Sequence, residues 1–134
     1  MKNYKEQLKD ITTFVFDYDG VMTSGDVLVD GNGVPLRSSD VKDGYALQLA
    51  ARLGYNIAVI TGGYSISIEK RMQMLGVKDV FVRSANKVEV LQKYMETNNL
   101  KPEQIIYTST GKDGITMGFY SLKSSFVSFL AMSQ

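Results

Sequence analysis

The sequence contains no cysteine and no histidine. Without cysteine, the chain cannot form disulfides, bind a metal through thiolates or use a thiol as a nucleophile. Without histidine, it lacks the most common general base of enzymes, so any acid–base catalysis has to come from carboxylates, lysine or tyrosine. These two absences direct attention to the acidic residues.

Strong charge bias and long apolar runs are also missing. The 134 residues carry a formal net charge of +1, and no apolar run reaches membrane-spanning length. The amino-terminal segment is charged and lacks the apolar centre of a signal peptide. We therefore expect a single domain over residues 1–134, a cytoplasmic location, and neither a nucleic-acid nor a membrane partner.

Strand and helix patterns alternate along the chain. Short runs rich in β-branched and aromatic residues predict strands at 12–17, 56–61, 78–82 and 104–109. Apolar residues at helical spacing predict three helices between them. The first has Ala46, Leu49, Ala50 and Leu53 on one face and stops at Gly54, the second covers 65–75 with Ile68, Met72 and Leu75 on one stripe, and the third covers 86–99. Such alternation is typical of α/β proteins in which helices cover both faces of a parallel sheet, a three-layer doubly wound fold.

A β-hairpin is predicted between the first strand and the first helix. The turn residues Asp30-Gly31-Asn32-Gly33 stand between two short extended runs, which is a strong hairpin signal. The hairpin covers about residues 26–38, and several of its residues are apolar. We expect these apolar residues to need a cover.

Acidic and hydroxyl residues follow the predicted strands directly. Asp17 and Asp19 end the first strand and Thr61 ends the second, at the sheet edge where α/β proteins bind ligands. Two converging carboxylates suit Mg²⁺, and one of them can attack phosphorus. Thr61 and Gly62 offer groups that hold phosphate oxygens, and Lys87 can neutralise a phosphoryl group. Each feature alone is more often an ordinary turn or a solvated side chain, but their joint order favours a phosphatase site.

The three motifs together resemble those of the haloacid dehalogenase superfamily of phosphatases. "FDYDGV" is similar to its first motif, "VITGG" to its second and "SANK" to its third. From residue 11 to 107, the chain resembles the 3-deoxy-D-manno-octulosonate 8-phosphate phosphatase family within that superfamily. The resemblance implies a Rossmann-like core in which a small hairpin replaces the cap domain, and a homotetramer in which a neighbouring subunit closes each active site.

The resemblance also implies roles for individual residues. Asp17 would be the nucleophile and Asp19 the general acid and base, and both would hold Mg²⁺. Thr61, Gly62 and Lys87 would hold the phosphoryl group. The implied activity is Mg²⁺-dependent hydrolysis of a sugar acid phosphate through an aspartyl-phosphate intermediate, in the synthesis of lipopolysaccharide precursors. Three further residues match positions that the family keeps near the substrate, namely Asp43, Gly44 and Arg71.

The chain departs from the family pattern in two places. Gly63 stands where the second motif usually has Arg or Glu, so a side chain that could help choose the substrate is missing. In the fourth motif, "YTSTGKDG", Thr110 and Gly111 stand where the family has carboxylates, and Asp113 is the remaining candidate metal ligand. Residues 115–134 do not resemble the family.

These departures predict weak Mg²⁺ binding and low activity, and they leave two alternatives open. One alternative is a phosphatase for the 9-phosphate of a nine-carbon, sialic-type acid. The other is a catalytically impaired homologue that serves as a binding or oligomerisation module.

Overall fold

The structure is a computed structural model that describes Glu6 and residues 9–18, 28–36 and 41–108. The described strands are β1 (Thr13–Phe16), β2 (Leu28–Val29), β3 (Pro35–Leu36), β4 (Asn56–Ile60), β5 (Asp79–Phe81) and β6 (Ile105–Thr108). The described helices are α1 (Val41–Arg52), α2 (Ile66–Met74) and α3 (Lys87–Thr97), and a short 3-10 helix (Pro102–Gln104) precedes β6. Within these ranges, no helix has the length and apolar character needed to cross a membrane.

Four of the described strands form a parallel sheet in the order β5-β4-β1-β6. In its centre, Phe16 of β1 lies opposite Val59 of β4 on one side and Thr108 of β6 on the other. The carboxyl ends of β1, β4 and β6 therefore lie side by side. This arrangement places the residues that follow these strands along one edge of the sheet.

Helices cover both faces of this sheet. Successive side chains of a strand point to opposite faces, and those of the sheet are buried in two separate cores. Phe14, Phe16 and Val59 belong to one core, and Val15 and Ile60 belong to the other. Helices α1 and α2 complete the first core with Ala46, Leu47, Ala50, Ile68 and Met72. Helix α3 completes the second with Leu91 and Tyr94. The predicted three-layer α/β fold is thus confirmed.

Tyr94 is held in the second core as a neutral phenol. Burial, together with the nearby charge of Asp79, raises the pKa of Tyr94 to about 12. The side chain of Tyr94 therefore takes no part in acid–base reactions near neutral pH.

The first helix differs from its prediction at the carboxyl end. Helix α1 ends at Arg52, and Leu53, predicted to lie on the buried face, is 45% exposed. Gly54 has a φ of 90° and turns the chain toward β4, so Leu53 falls after the last helical turn and does not face the sheet. Leu47, which the predicted face did not include, is instead almost fully buried.

The predicted hairpin is present between β1 and α1. Strands β2 and β3 pair antiparallel, with Leu28 opposite Leu36. The Asp30 carboxylate closes the turn, because its Oδ1 accepts hydrogen bonds from the backbone N–H groups of Asn32 and Val34 at 2.8 and 2.9 Å. The apolar side chains of Leu28, Val29 and Val34 are 61%, 61% and 51% exposed.

Candidate active site

Asp17 lies at the carboxyl end of the central strand β1. Its backbone N–H donates to the carbonyl of Thr108 at 2.9 Å, which continues the sheet past the end of the strand. Because side chains alternate along a strand, Asp17 lies on the same side as Val15, toward the layer that contains α3. Tyr18 takes the other side and is buried in the core with Phe14. The aromatic residue of the D-x-D motif therefore anchors the strand end, and Asp17 is left at the edge, 5% exposed.

Lys87 reaches Asp17 across the sheet edge. Its Nζ donates to Oδ2 of Asp17 at 3.0 Å, although the two residues are 70 positions apart in sequence. The pair is largely buried, with 16% of the Lys87 side chain and 7% of the Asp17 side chain exposed. Lys87 is the first residue of α3, and Asn86 caps this helix by accepting a hydrogen bond from the N–H of Glu89 at 3.2 Å. The start of α3 is thus the element that positions the cation.

Thr61 follows β4, the strand next to β1, and lies at the same edge as Asp17. It is 1% exposed, and its hydroxyl oxygen accepts a hydrogen bond from the N–H of Gly63 at 3.3 Å. Its hydroxyl proton has no acceptor among the described residues, so it can be donated to a bound anion. Gly62 is exposed at the tip of this turn. We call residues 61–63 the phosphate turn.

Gly44 and Arg71 form a second pair, beside the sheet. Gly44 lies near the start of α1 and Arg71 lies in α2, and a Cβ added at Gly44 would stand 2.7 Å from Nη2 of Arg71. The buried Nε of Arg71 has no hydrogen-bond partner in the part of the chain that the structure describes. A glycine at this position therefore makes room for a guanidinium between the two helices.

Sequence reasoning missed two residues next to the phosphate turn. The guanidinium Cζ of Arg83 lies 4.1 Å from the ring centroid of Tyr64, and the backbone N–H of Arg83 donates to the carbonyl of Gly63 at 3.1 Å. No motif signals this contact, since the two side chains meet only when the loops after β4 and β5 are placed side by side.

The side chains of three predicted site residues lie outside the described part of the chain. Asp19 and Asp113 lie outside the described residues, and so does the side chain of Asp43, whose backbone is in the first turn of α1. In the described part of the chain, no group of three acidic residues could hold a metal ion. Asp17 is the one predicted metal ligand whose side chain is described, and its carboxylate oxygens are of the type that Mg²⁺ prefers.

Comparisons with known proteins relate this arrangement to a group of phosphatases. No protein-family model matches the chain. It is 28% identical over 99 residues to the 3-deoxy-D-manno-octulosonate 8-phosphate phosphatase KdsC of Escherichia coli K12, which covers 74% of this chain and 53% of that protein. The chain thus spans about half the length of the curated relatives it matches.

Solved structures show the same core. A Legionella pneumophila protein assigned to the haloacid dehalogenase superfamily hydrolases (subfamily III A) has a TM-score of 0.74 at 29% identity, covering 78% of this chain and 57% of that one. The cobalt-bound deoxy-D-mannose-octulosonate 8-phosphate phosphatase of Haemophilus influenzae has a TM-score of 0.71 at 28% identity, covering 77% and 60%. By sequence and by fold, the chain is similar to 3-deoxy-D-manno-octulosonate 8-phosphate phosphatases and to hydrolases of the haloacid dehalogenase superfamily.

Proposed function

We propose that the chain forms the catalytic core of a Mg²⁺-dependent phosphatase that hydrolyses 3-deoxy-D-manno-octulosonate 8-phosphate, an eight-carbon sugar acid phosphate. The observation that carries the proposal is the buried ion pair between Lys87 and Asp17 at 3.0 Å, beside the phosphate turn. A paired cation and carboxylate and a nearby hydroxyl lie along the sheet edge where ligands of α/β proteins bind. The names of the sequence relative and of the Haemophilus influenzae structure support the choice of substrate.

In the proposed reaction, Asp17 attacks the phosphorus atom of the substrate. The bond between phosphorus and the sugar oxygen breaks as the aspartyl phosphate forms, and Asp19 gives its proton to the departing oxygen. Asp19 then takes a proton from the water that attacks the same phosphorus, which releases inorganic phosphate and restores Asp17. Lys87 orients the nucleophile through its hydrogen bond and offsets negative charge on the phosphoryl oxygens, and Thr61 donates its hydroxyl proton to one of them.

Asp17 would hold the Mg²⁺ through a carboxylate oxygen and Asp19 through an oxygen that leaves its carboxyl group able to carry a proton, with Asp113 as a third candidate ligand. When bound, the ion would stabilise negative charge on the phosphoryl oxygens. The cobalt-bound relative supports a divalent ion in this group of proteins. Asp43, Gly44 and Arg71 would contact the sugar acid. The implied place in lipopolysaccharide precursor synthesis corresponds to a cytoplasmic protein, and we propose a homotetramer.

The proposal is tested by measuring phosphate release from 3-deoxy-D-manno-octulosonate 8-phosphate. We expect Mg²⁺-dependent release by the parent that stops when the metal is chelated. Asp17→Asn should lower kcat by at least about 10³-fold, because an amide is not a nucleophile. The amide oxygen can still accept the hydrogen bond from Lys87, so circular dichroism should report an unchanged fold.

A second variant tests the role of the lysine. Lys87→Met keeps the apolar stem and should lower kcat by about 10²–10³-fold, the usual loss for one charge-stabilising donor. Lys93→Met, the same change at an exposed position of the same helix, is the matched control and should leave kcat unchanged.

The alternatives are separated in the same assay. Faster hydrolysis of the 9-phosphate of a nine-carbon, sialic-type acid would identify that ester as the substrate in place of the eight-carbon one. Turnover of neither ester at saturating Mg²⁺ would contradict the proposal and favour an impaired homologue that acts as a binding module.

A further inference from the structure

Arg83 has a backbone conformation that is uncommon for arginine. Its φ is 53°, in the left-handed region that favours glycine. Among the described non-glycine residues, this region is otherwise occupied by Asn99, and asparagine adopts it more readily than arginine does. Backbone conformations of this kind cluster at active sites and ligand-binding loops, so Arg83 is a candidate for a functional role.

The strained backbone of Arg83 is fixed directly against the phosphate turn. The N–H of Arg83 donates to the carbonyl of Gly63 at 3.1 Å, and the N–H of the next residue, Ser84, donates to the carbonyl of Thr61 at 2.9 Å. Ser84 is itself buried, and its hydroxyl donates to the carbonyl of Phe81 at 3.2 Å. The loop after β5 is thus joined by two hydrogen bonds to the turn after β4.

The side chain of Arg83 is held by stacking. Its guanidinium lies over the ring of Tyr64, 4.1 Å from the centroid, and such cation–π contacts orient a guanidinium without neutralising its charge. Within the described ranges, Arg83 makes no ion pair. Both residues are exposed, and Tyr64 directly follows the phosphate turn. The result is an oriented positive charge, without a compensating carboxylate among the described residues, next to the place where a phosphoryl group would bind.

We propose that Arg83, stacked on Tyr64, is the residue that recognises the carboxylate of a phosphorylated sugar acid. This inference rests on the proposed function and names the part of that substrate which the catalytic residues leave unrecognised. Gly63 contributes no side chain to the phosphate turn, and Arg83 supplies a cation beside it. A guanidinium pairs with a carboxylate through two parallel hydrogen bonds. Arg83 is therefore a specificity-determining residue and takes no part in the chemical step.

The experiment compares two substrates in the parent and in Arg83→Gln. One is the eight-carbon sugar acid phosphate, and the other is p-nitrophenyl phosphate, which has no carboxylate. We expect the KM for the sugar acid phosphate to rise about tenfold with kcat nearly unchanged, the result of losing a contact made equally in the ground and transition states. The KM for p-nitrophenyl phosphate should not change. An equal change for both substrates, or none, would overturn the proposal.

Two further variants separate recognition from general effects. Arg52→Gln removes an exposed positive charge at the far end of α1 and should leave both KM values unchanged. If it raised the KM for the sugar acid phosphate as much as Arg83→Gln does, the effect would come from the net charge of the protein and the proposal would be overturned. Arg83→Gly relieves the left-handed backbone and should keep or raise the Tm while raising the KM for the sugar acid phosphate as Arg83→Gln does. A lower Tm with equal loss on both substrates would show a purely structural role and overturn the proposal.

Binding measurements keep this inference distinct from the proposed function. By calorimetry, the parent should bind the free eight-carbon sugar acid more tightly than Arg83→Gln does, whereas inorganic phosphate should bind both equally. Failure of the parent to hydrolyse any ester would contradict the phosphatase proposal, but the comparison of the two affinities for the free acid would still test the role of Arg83. Equal affinity of the two proteins for the free acid, or no binding of the acid by the parent, would overturn the role of Arg83.

Discussion

At the scale of single residues, the site depends on a pair of oppositely charged side chains that are buried together. Asp17 and Lys87 illustrate this, because each is largely removed from water and each is satisfied by the other at 3.0 Å. Removing one partner of a buried ion pair leaves an uncompensated charge, which typically costs about 3–5 kcal/mol. Asp17 and Lys87 are therefore constrained by stability as well as by the proposed chemistry, so substitutions here have to be judged by kcat and folding together.

Replacing Gly44 by alanine should have two opposing effects on the free energy of unfolding. Gly44→Ala adds a methyl group to helix α1, where alanine is favoured over glycine by about 1 kcal/mol. The methyl would also stand 2.7 Å from Nη2 of Arg71 and displace the guanidinium. In the parent the two effects oppose each other, so we expect the free energy of unfolding to change by less than about 1 kcal/mol.

A double-mutant cycle measures the packing of this pair. In an Arg71→Ala background the conflict is absent, so Gly44→Ala should stabilise the chain by about 1 kcal/mol in chemical denaturation. Gly31→Ala adds the same methyl where nothing lies within 4 Å and should show no dependence on Arg71. Additive effects of the Gly44 and Arg71 substitutions would contradict the packing described here.

At the scale of elements, the start of α3 connects helix stability to the site. Asn86 caps the helix and Lys87 is its first residue. Asn86→Ala should cost about 1 kcal/mol of stability by removing the cap, and fraying of the first turn should move Lys87 away from Asp17. We therefore expect kcat to fall at a temperature where the variant is still fully folded.

Two comparisons isolate the effect of this cap. Asn86→Ser retains a capping oxygen and should restore both the Tm and kcat. Ser65→Ala removes the cap of α2, where Ser65 accepts a hydrogen bond from the N–H of Ser67 at 3.2 Å, and should lower stability by a similar amount without disturbing the ion pair. Equal kcat in Asn86→Ala and the parent would show that α3 does not position the lysine.

At the scale of the whole molecule, the hairpin leaves apolar surface in contact with water. Leu28 and Val29 are each 61% exposed in the isolated chain. Exposed apolar patches of this kind mark interaction sites, and the resemblance implies a tetramer in which a neighbouring subunit covers the active site. We predict that the parent forms an oligomer, measured by light scattering at micromolar concentration.

Charge placed on the hairpin should dissociate that oligomer. Leu28→Lys combined with Val29→Lys should shift the mass to that of a monomer, because several lysines cannot be buried together at an interface. Met74→Lys is the matched control, since Met74 is 72% exposed and belongs to α2 and not to the hairpin. A monomeric parent, or a double variant that keeps the parent's mass, would contradict the prediction.

The sequence by itself determined the periodic features of this protein. The stripe Ile68, Met72 and Leu75 is buried as predicted, because the spacing of apolar residues along a helix is a local property. The positions of Asp17 and Thr61 at neighbouring strand ends followed from the same kind of pattern, since parallel strands in α/β folds end at a common edge. The prediction that Leu53 is buried was wrong, because the helix ends one residue before it.

The tertiary structure alone decided which side chains meet. The spacing of apolar residues does not predict the distance between Lys87 and Asp17, which are 70 positions apart in the sequence. The occurrence of both motifs in one chain suggested only that the two residues share a site. The contact of Arg83 with Tyr64 had no signal in the sequence, because it depends on a left-handed residue after β5 and on the hydrogen bonds that join two loops. Contacts between loops depend on the three-dimensional placement of the strands that carry them, whereas strand and helix patterns are set by residues close together in the chain.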